Sequence, residues 1–275
     1  MAEPFELTYR ARDGRPPVNL NLHITADGHA ELFIGTSTSI PVARVDRIGT
    51  FAGQAPANEL QAIHDYLAKH DLVSRAGTFG QAGPGTPNRF LALTVGEQHA
   101  EFKLNSGQND ATIDGFERLL HHLALAMIDQ PLSAVEASLD LQEAEGQITP
   151  TITMQAIGSE PMTVLLVDPA QPVFTLYAQV ELRGTKTSPG SVTFPAVLGS
   201  IAFPTETVQA MAESGELPSG VTKLPRDATY RFELPPIALP VDASAITATG
   251  SIDFWLPDGK ARSSLSLQTA TIPLT

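Results

Sequence analysis

The sequence predicts a first half of mixed α and β structure and a second half built from β-strands. Both long patterns of helical period lie before residue 130, and all seven histidines lie before residue 123. After Gln130-Pro131 the chain becomes rich in Thr, Ser, Val and Pro, with apolar residues at alternate positions. We therefore place a domain boundary there, which predicts an α+β domain over 1–130 and a β domain over 131–275.

The first predicted element is a hairpin. Residues 18–25 alternate strictly between apolar and polar side chains, a pattern typical of a half-buried strand. A three-residue turn, Ala26-Asp27-Gly28, places Ile24 opposite Ala30 and so aligns apolar residues across the pair. Gly28 then takes the left-handed conformation that such turns need.

A second hairpin is predicted around Gly96-Glu97, because a two-residue loop that begins with glycine suits a type II′ turn. This loop pairs Leu93 with Ala100 and Leu91 with Phe102. The apolar side chains of both strands then share one face of the sheet, as they do in the first hairpin.

Each group of strands is followed by a predicted helix. The first helix, 57–72, carries leucine and isoleucine along one stripe, and the second, 110–128, begins at Asp110 as its N-cap. Pro131 ends the second pattern. Because the strands are apolar on one side only, we expect an antiparallel sheet with both helices on that side.

The second half contains about seven alternating segments separated by turn residues, a number typical of a sandwich. The stretch 152–167, a strand closed by Gly-Ser-Glu-Pro and followed by another strand, resembles immunoglobulin-like modules. The resemblance implies an immunoglobulin-like β-sandwich for this half. A long connection at about 204–227 interrupts the strands and is interpreted as an insertion.

Composition excludes several classes of function. The formal net charge of −13 argues against nucleic-acid binding, because an acidic surface repels phosphate backbones. The chain has no cysteine, which excludes disulfides and thiol catalysis. No apolar run approaches the roughly 20 residues that span a bilayer, so we expect no membrane insertion. The acidic start, Met1 to Pro4, favours a cytoplasmic protein, with a mature secreted fragment as the alternative.

Histidines supply the candidates for a metal site, yet we expect neither a metal nor another cofactor. His121 and His122 diverge by about 100° around a helix, so we interpret them as solvated or flanking side chains. His23, His29 and Glu31 share the outer side of the first hairpin. An exposed cross-strand ion pair is the favoured interpretation of that set, and a metal site is the alternative.

The glycine-rich stretch 77–85 is interpreted as a mobile loop, because it lacks the Lys-Ser/Thr of a phosphate-binding loop and opens no helix. Phe79 within this stretch and Arg89 beyond it are the candidate site residues of the loop, and Arg89 could contact an anion. No serine stands in a G-x-S-x-G motif, and 105–110 lacks the closing glutamate of a calcium loop. No catalytic residue is therefore assigned.

Trp255, the single tryptophan, is the candidate protein-contact residue. Ile252 and Phe254 define the apolar face of its strand, so the indole is expected on the polar face. A large apolar ring on a polar face is covered either by this chain or by a partner.

Taken together, these features favour a non-catalytic protein-binding or scaffolding protein, with a protein partner or self-association. The expectation rests on missing catalytic motifs and on the frequent use of sandwich domains as interaction modules. The alternatives are a hydrolase with its site between the two halves and a specific inhibitor or immunity protein.

Overall fold

The structure is a computed structural model. It describes residues 4–12, 20–36, 40–41, 45–81, 88–105, 107–165, 167–168, 171–186, 191–193, 197–202, 221–233, 236–238, 243–255, 262–268 and 272–273. Strands predominate among these residues and are accompanied by two α-helices. The chain divides into two compact units, Met1–Ala134 and Val135–Thr275.

The first unit contains strands, two α-helices and a short 3-10 helix. Their bounds are β1 (Phe5–Arg12), β2 (Leu20–Ile24), β3 (His29–Ile34), β4 (Arg47–Gln54), α1 (Ala57–Lys69), the 3-10 helix (Val73–Arg75), β5 (Gly77–Phe79), β6 (Asn88–Val95), β7 (Gln98–Leu104) and α2 (Ala111–Met127). The strands form a sheet in the order β4-β3-β2-β1-β6-β7-β5.

The sheet of the first unit is mixed rather than wholly antiparallel. The antiparallel prediction is correct for β1 to β4, β6 and β7, and wrong for β5, which runs parallel to β7. The reason is topological. β6 and β7 run in opposite directions about the Gly96 turn. β5 runs opposite to β6 as well, so β5 and β7 have the same direction and pair in parallel.

Both predicted hairpins are confirmed, including their register. In the first hairpin Ile24 pairs with Ala30, and Gly28 has a φ of +82°. In the second hairpin Leu93 pairs with Ala100. Period-two alternation was sufficient here, because a slip of one residue would have moved every apolar side chain to the wrong face.

Both predicted helices are present, and the first ends three residues before the predicted end at 72. α1 ends at Lys69 because His70 has extended backbone angles, and α2 starts after Asp110, whose side chain accepts hydrogen bonds from the first turn. Helix α1 contacts the sheet through His64, whose ring centroid lies 4.7 Å from that of Phe5. Helix α2 contacts the same sheet face through Tyr9 of β1, so the two helices lie on one face as predicted.

The interpretation of 77–85 as a mobile loop is wrong at its start. Gly77–Phe79 form the edge strand β5, and the Phe79 ring stacks on that of Phe102 with centroids 6.3 Å apart. The Asn105 N–H donates to the Phe79 carbonyl at 2.9 Å and extends the pairing. Residues 82–87 lie outside the described part of the chain.

The described residues of the second unit lie mainly in strands. The bounds of these strands are β8 (Pro131–Ala144), β9 (Gln147–Ile157), β10 (Met162–Leu165), β11 (Val167–Asp168), β12 (Gln171–Lys186), β13 (Ser191–Thr193), β14 (Val197–Ala202), β15 (Val221–Leu224), β16 (Thr229–Glu233), β17 (Ile237–Ala238), β18 (Ala243–Trp255), β19 (Arg262–Gln268) and β20 (Ile272–Pro273). Pairing joins β16, β9 and β8 in that order, and separately β11, β12, β18, β10 and β15.

The predicted alternation of the second half agrees with burial where side chains are described. Val135 and Leu139 are buried on β8, while Ser138 and Asp140 are exposed. Of the insertion at about 204–227, residues 204–220 lie outside the described part and 221–224 form β15. A second half rich in β-strands is therefore confirmed, and the immunoglobulin-like sandwich stays a prediction.

Independent folding of the halves also stays a prediction, and the structure sharpens its test. A fragment ending at Gln130 would lose Ser133 and Ala134, which lie against Gly49 of β4. We therefore expect fragment 1–134 to unfold cooperatively in urea and fragment 1–130 to be less stable. A fragment 1–134 that shows no cooperative transition by circular dichroism would mean that the first half is not an independent domain.

Candidate functional site

The sheet of the first unit has one face toward the helices and a second face, hereafter the outer face. Alternation places Phe90, Arg10, Asn21 and Phe33 on the outer face, in one row of directly paired residues across β6, β1, β2 and β3. Arg10 is exposed, and its Nε donates to Asn21 Oδ1 at 3.3 Å. Both phenylalanines are half-buried, so each ring keeps some contact with solvent.

His23 lies on the outer face one row away. The register places it opposite Glu31, as predicted, but its Nε2 lies 4.0 Å from Glu6 Oε1 and its Nδ1 lies 3.1 Å from the Thr8 hydroxyl. The carboxylate that lies near this imidazole is therefore Glu6 on β1, rather than Glu31 on β3. In the described part of the chain, no three His, Asp or Glu side chains converge as metal ligands would.

The opposite face of the sheet carries a group of four ionisable side chains, hereafter the buried polar cluster: Tyr9, Arg89, Glu117 and His121. The Tyr9 hydroxyl donates to Glu117 Oε1 at 2.8 Å and lies 3.3 Å from His121 Nε2. Arg89 Nε lies 3.1 Å from the same Glu117 oxygen. Glu117 and His121 are one helical turn apart on α2, which is why both side chains reach Tyr9.

Burial determines the protonation of the cluster. Tyr9, Glu117 and His121 are 0%, 5% and 7% exposed, whereas the Arg89 side chain is 27% exposed. Loss of solvent raises the pKa of Glu117 above its ordinary range, against the opposing charge of Arg89. Burial likewise raises the pKa of Tyr9, and it lowers the pKa of His121 to about 4. At neutral pH His121 is therefore uncharged.

The interpretation of His121 as solvated or flanking is wrong, whereas His122 is exposed as expected. Sequence reasoning also missed Glu117. The available signal was its place within the apolar stripe of α2, four residues after Ile113 and three before Leu120. A carboxylate inside such a stripe indicates a buried partner, because an unpaired buried charge is costly.

The lowered pKa of His121 predicts a loss of stability in mild acid. Unfolding returns the imidazole to its ordinary pKa of about 6.5, so the unfolded chain binds an extra proton as the pH falls from 6.5 toward 4. Stability that is present above pH 6.5 is lost across that window, by up to about 3 kcal/mol. Glu117 acts in the opposite sense, since its raised pKa lowers stability as the pH rises.

The variant His121→Gln separates these two effects. Urea unfolding between pH 4 and pH 7 should show a smaller acid loss in the variant than in the wild-type protein, because only the variant lacks the titrating imidazole. The exposed neighbour provides the matched control His122→Gln, which should keep the wild-type pH dependence. Equal pH dependence in wild type and His121→Gln would contradict the assignment.

The structure brings the two loop candidates, Phe79 and Arg89, together. Phe79 and Arg89 both pair with Leu104, so the three residues form one row across β5, β7 and β6. The backbone of Trp255 ends β18, where it pairs with Arg262, and its side chain lies outside the described part of the structure. The role of Trp255 therefore stays a prediction.

Comparison with known proteins gives no family for this chain. No protein-family model matches the sequence, and a search of curated proteins finds no significant match. Among the described helices, none is long and apolar enough to cross a membrane.

Proposed function

We propose that the protein is a non-catalytic protein-binding or scaffolding protein, and that the outer face of its first unit contacts the partner. The row Phe90, Arg10, Asn21 and Phe33 is the observation that carries the proposal. Aromatic residues and arginine are enriched in protein interfaces, where lysine and glutamate are depleted. A row that combines both types, on the face opposite to the described helices α1 and α2, has the composition of an interface centre.

The shape of the row supports the same function. Neighbouring strands lie about 4.8 Å apart, so the two phenylalanines are separated by roughly 14 Å across three strand intervals. The hydrogen bond from Arg10 to Asn21 holds the guanidinium between them. A preformed surface of this kind loses little side-chain entropy when a partner binds.

The location of the ionisable groups supports binding over the hydrolase alternative. Glu117, His121 and Tyr9 have the perturbed pKa values that often mark catalytic groups. However, each of them is less than a tenth exposed, because the sheet-facing side of α2 carries Glu117 and His121 and covers Tyr9. Direct contact with a substrate would require α2 to move away.

Affinity capture with matched variants tests the proposal. Wild-type protein, Arg10→Glu and Phe33→Ser would each be immobilised and exposed to extract of the source cells. The control Arg118→Glu makes the same charge reversal at an exposed position of α2. We expect a protein to be captured by wild type and by the control and to be lost from both outer-face variants. Identical capture by all four proteins would contradict the proposal.

Trp255 offers a second, independent contact prediction. As the single tryptophan, it reports its surroundings without interference from other indoles. A partner surface predicts a red-shifted, quencher-accessible emission in the isolated protein and a blue shift when the partner binds. Trp255→Ala should then weaken the complex and leave the melting of the free protein nearly unchanged. Blue-shifted, protected emission from a demonstrated monomer would exclude this residue from the contact surface.

A further inference from the structure

We infer that Arg89 anchors a binding site for an oxyanion, either a carboxylate or a phosphate, at the exposed border of the buried polar cluster. The site lies on the helix-covered side of the sheet and is therefore separate from the outer face. Its existence does not depend on the proposed protein-binding function.

The guanidinium of Arg89 uses only part of its bonding capacity. Its Nε lies 3.1 Å from Glu117 Oε1, but the geometry of this ion pair is not that of a hydrogen bond. Among the described residues, none accepts a hydrogen bond from the two Nη groups. Since the side chain is 27% exposed, a ligand from solvent reaches it without unfolding of the cluster.

Glu117 holds the guanidinium in place from the interior side. The carboxylate is itself fixed by the Tyr9 hydroxyl at 2.8 Å, so Arg89 rests on a buried and hydrogen-bonded support. A planar guanidinium with both Nη groups free matches two oxygens of a carboxylate or a phosphate. Because the arginine is already oriented, little conformational entropy is lost when the anion binds.

Arg89 carries the positive charge of the buried polar cluster, and the paired Glu117 carboxylate offsets part of that charge. Burial raises the pKa of Glu117, which lowers the cost of its protonation when a second anion approaches Arg89. His121 is uncharged at neutral pH and adds no positive charge that would attract an anion elsewhere in the cluster. Arg89 is therefore the positive group that an incoming oxyanion meets.

Nuclear magnetic resonance of the full chain tests the inference. Wild-type protein would be titrated separately with sodium acetate and with inorganic phosphate, at constant ionic strength maintained with chloride. The Nε–Hε resonance of Arg89, assigned through its bonded carbons, should move and saturate. Backbone amides of residues 88–90 would report binding in Arg89→Lys. This variant keeps the positive charge and removes the planar pair of N–H donors. We expect binding to Arg89→Lys to be about tenfold weaker.

The control Arg118→Lys makes the same change on an exposed arginine of α2 and should bind as wild type does. Saturation by acetate alone assigns a carboxylate, saturation by phosphate alone assigns a phosphate, and saturation by both assigns a general oxyanion site. No saturable shift with either anion would overturn the inference, as would equal affinity in wild type and Arg89→Lys. If Arg89→Lys does not fold, as judged by thermal melting, the wild-type titration alone decides.

Discussion

Replacing Gly49 by alanine is expected to destabilise the first unit strongly. Gly49 has a φ of +130°, which L side chains rarely adopt. An added Cβ would also meet the Ser133 carbonyl and would lie 2.6 Å from the Ala134 Cα. Both obstacles are backbone atoms, so no side-chain rotation relieves the clash. We expect the free energy of unfolding to fall by more than about 3 kcal/mol.

Gly77→Ala provides the matched control for Gly49→Ala. Gly77 has a φ of +148°, similar to that of Gly49, but an added Cβ there has nothing within 4 Å. Gly77→Ala should therefore lower the free energy of unfolding only by the backbone strain, about 1–3 kcal/mol. Urea unfolding followed by circular dichroism would measure both variants. Equal losses would show that backbone conformation, and not the contact with Ser133 and Ala134, makes Gly49 necessary.

The second large effect is expected when Arg89 is replaced by leucine. The change leaves the buried Glu117 carboxylate without its positive partner. Removing one member of a buried pair lowers the free energy of unfolding by about 3–5 kcal/mol. Because Arg89 is partly exposed, we expect a loss of about 3 kcal/mol. Protonation of Glu117 offsets part of this cost in mild acid, so the loss should be greatest at high pH.

The double variant Arg89→Leu/Glu117→Leu tests the explanation for that loss. Removing both charges removes the unpaired carboxylate, and Tyr9 keeps His121 as a hydrogen-bond partner. We expect the free energy of unfolding of the double variant to lie within about 1.5 kcal/mol of the wild-type value, because apolar replacement of a whole buried pair is often neutral. A double variant less stable than Arg89→Leu would show that Glu117 is not the source of the loss.

Alternation predicted the hairpins because each of their strands carries an unbroken period of two. It failed for β4, whose helix-facing positions include Gly49 and Gly53. These glycines leave Phe51 as the single large apolar residue of that set, so no period is visible. Strand β1 carries an alternation of the same kind, because Phe5 and Tyr9 share one face with polar residues between them.

Neither part of the candidate site follows from local sequence. Phe90 and Phe33 share a row only because β6 pairs with β1, although 75 residues, 13–87, separate the two strands. The buried polar cluster depends in the same way on where α2 crosses β1. Periodicity places Glu117 on the apolar stripe of α2, but which side chain it meets is a tertiary property.

The central proposal is that the outer face contacts a protein partner, and hydroxyl-radical footprinting with the captured partner tests it most directly. Radicals oxidise accessible phenylalanine rings, so the reaction reads the proposed surface without any substitution. We predict that the partner protects Phe33 and Phe90 and leaves Phe79, a half-buried ring outside the outer face, unchanged. Unchanged oxidation of Phe33 and Phe90 in a demonstrated complex would contradict the proposal.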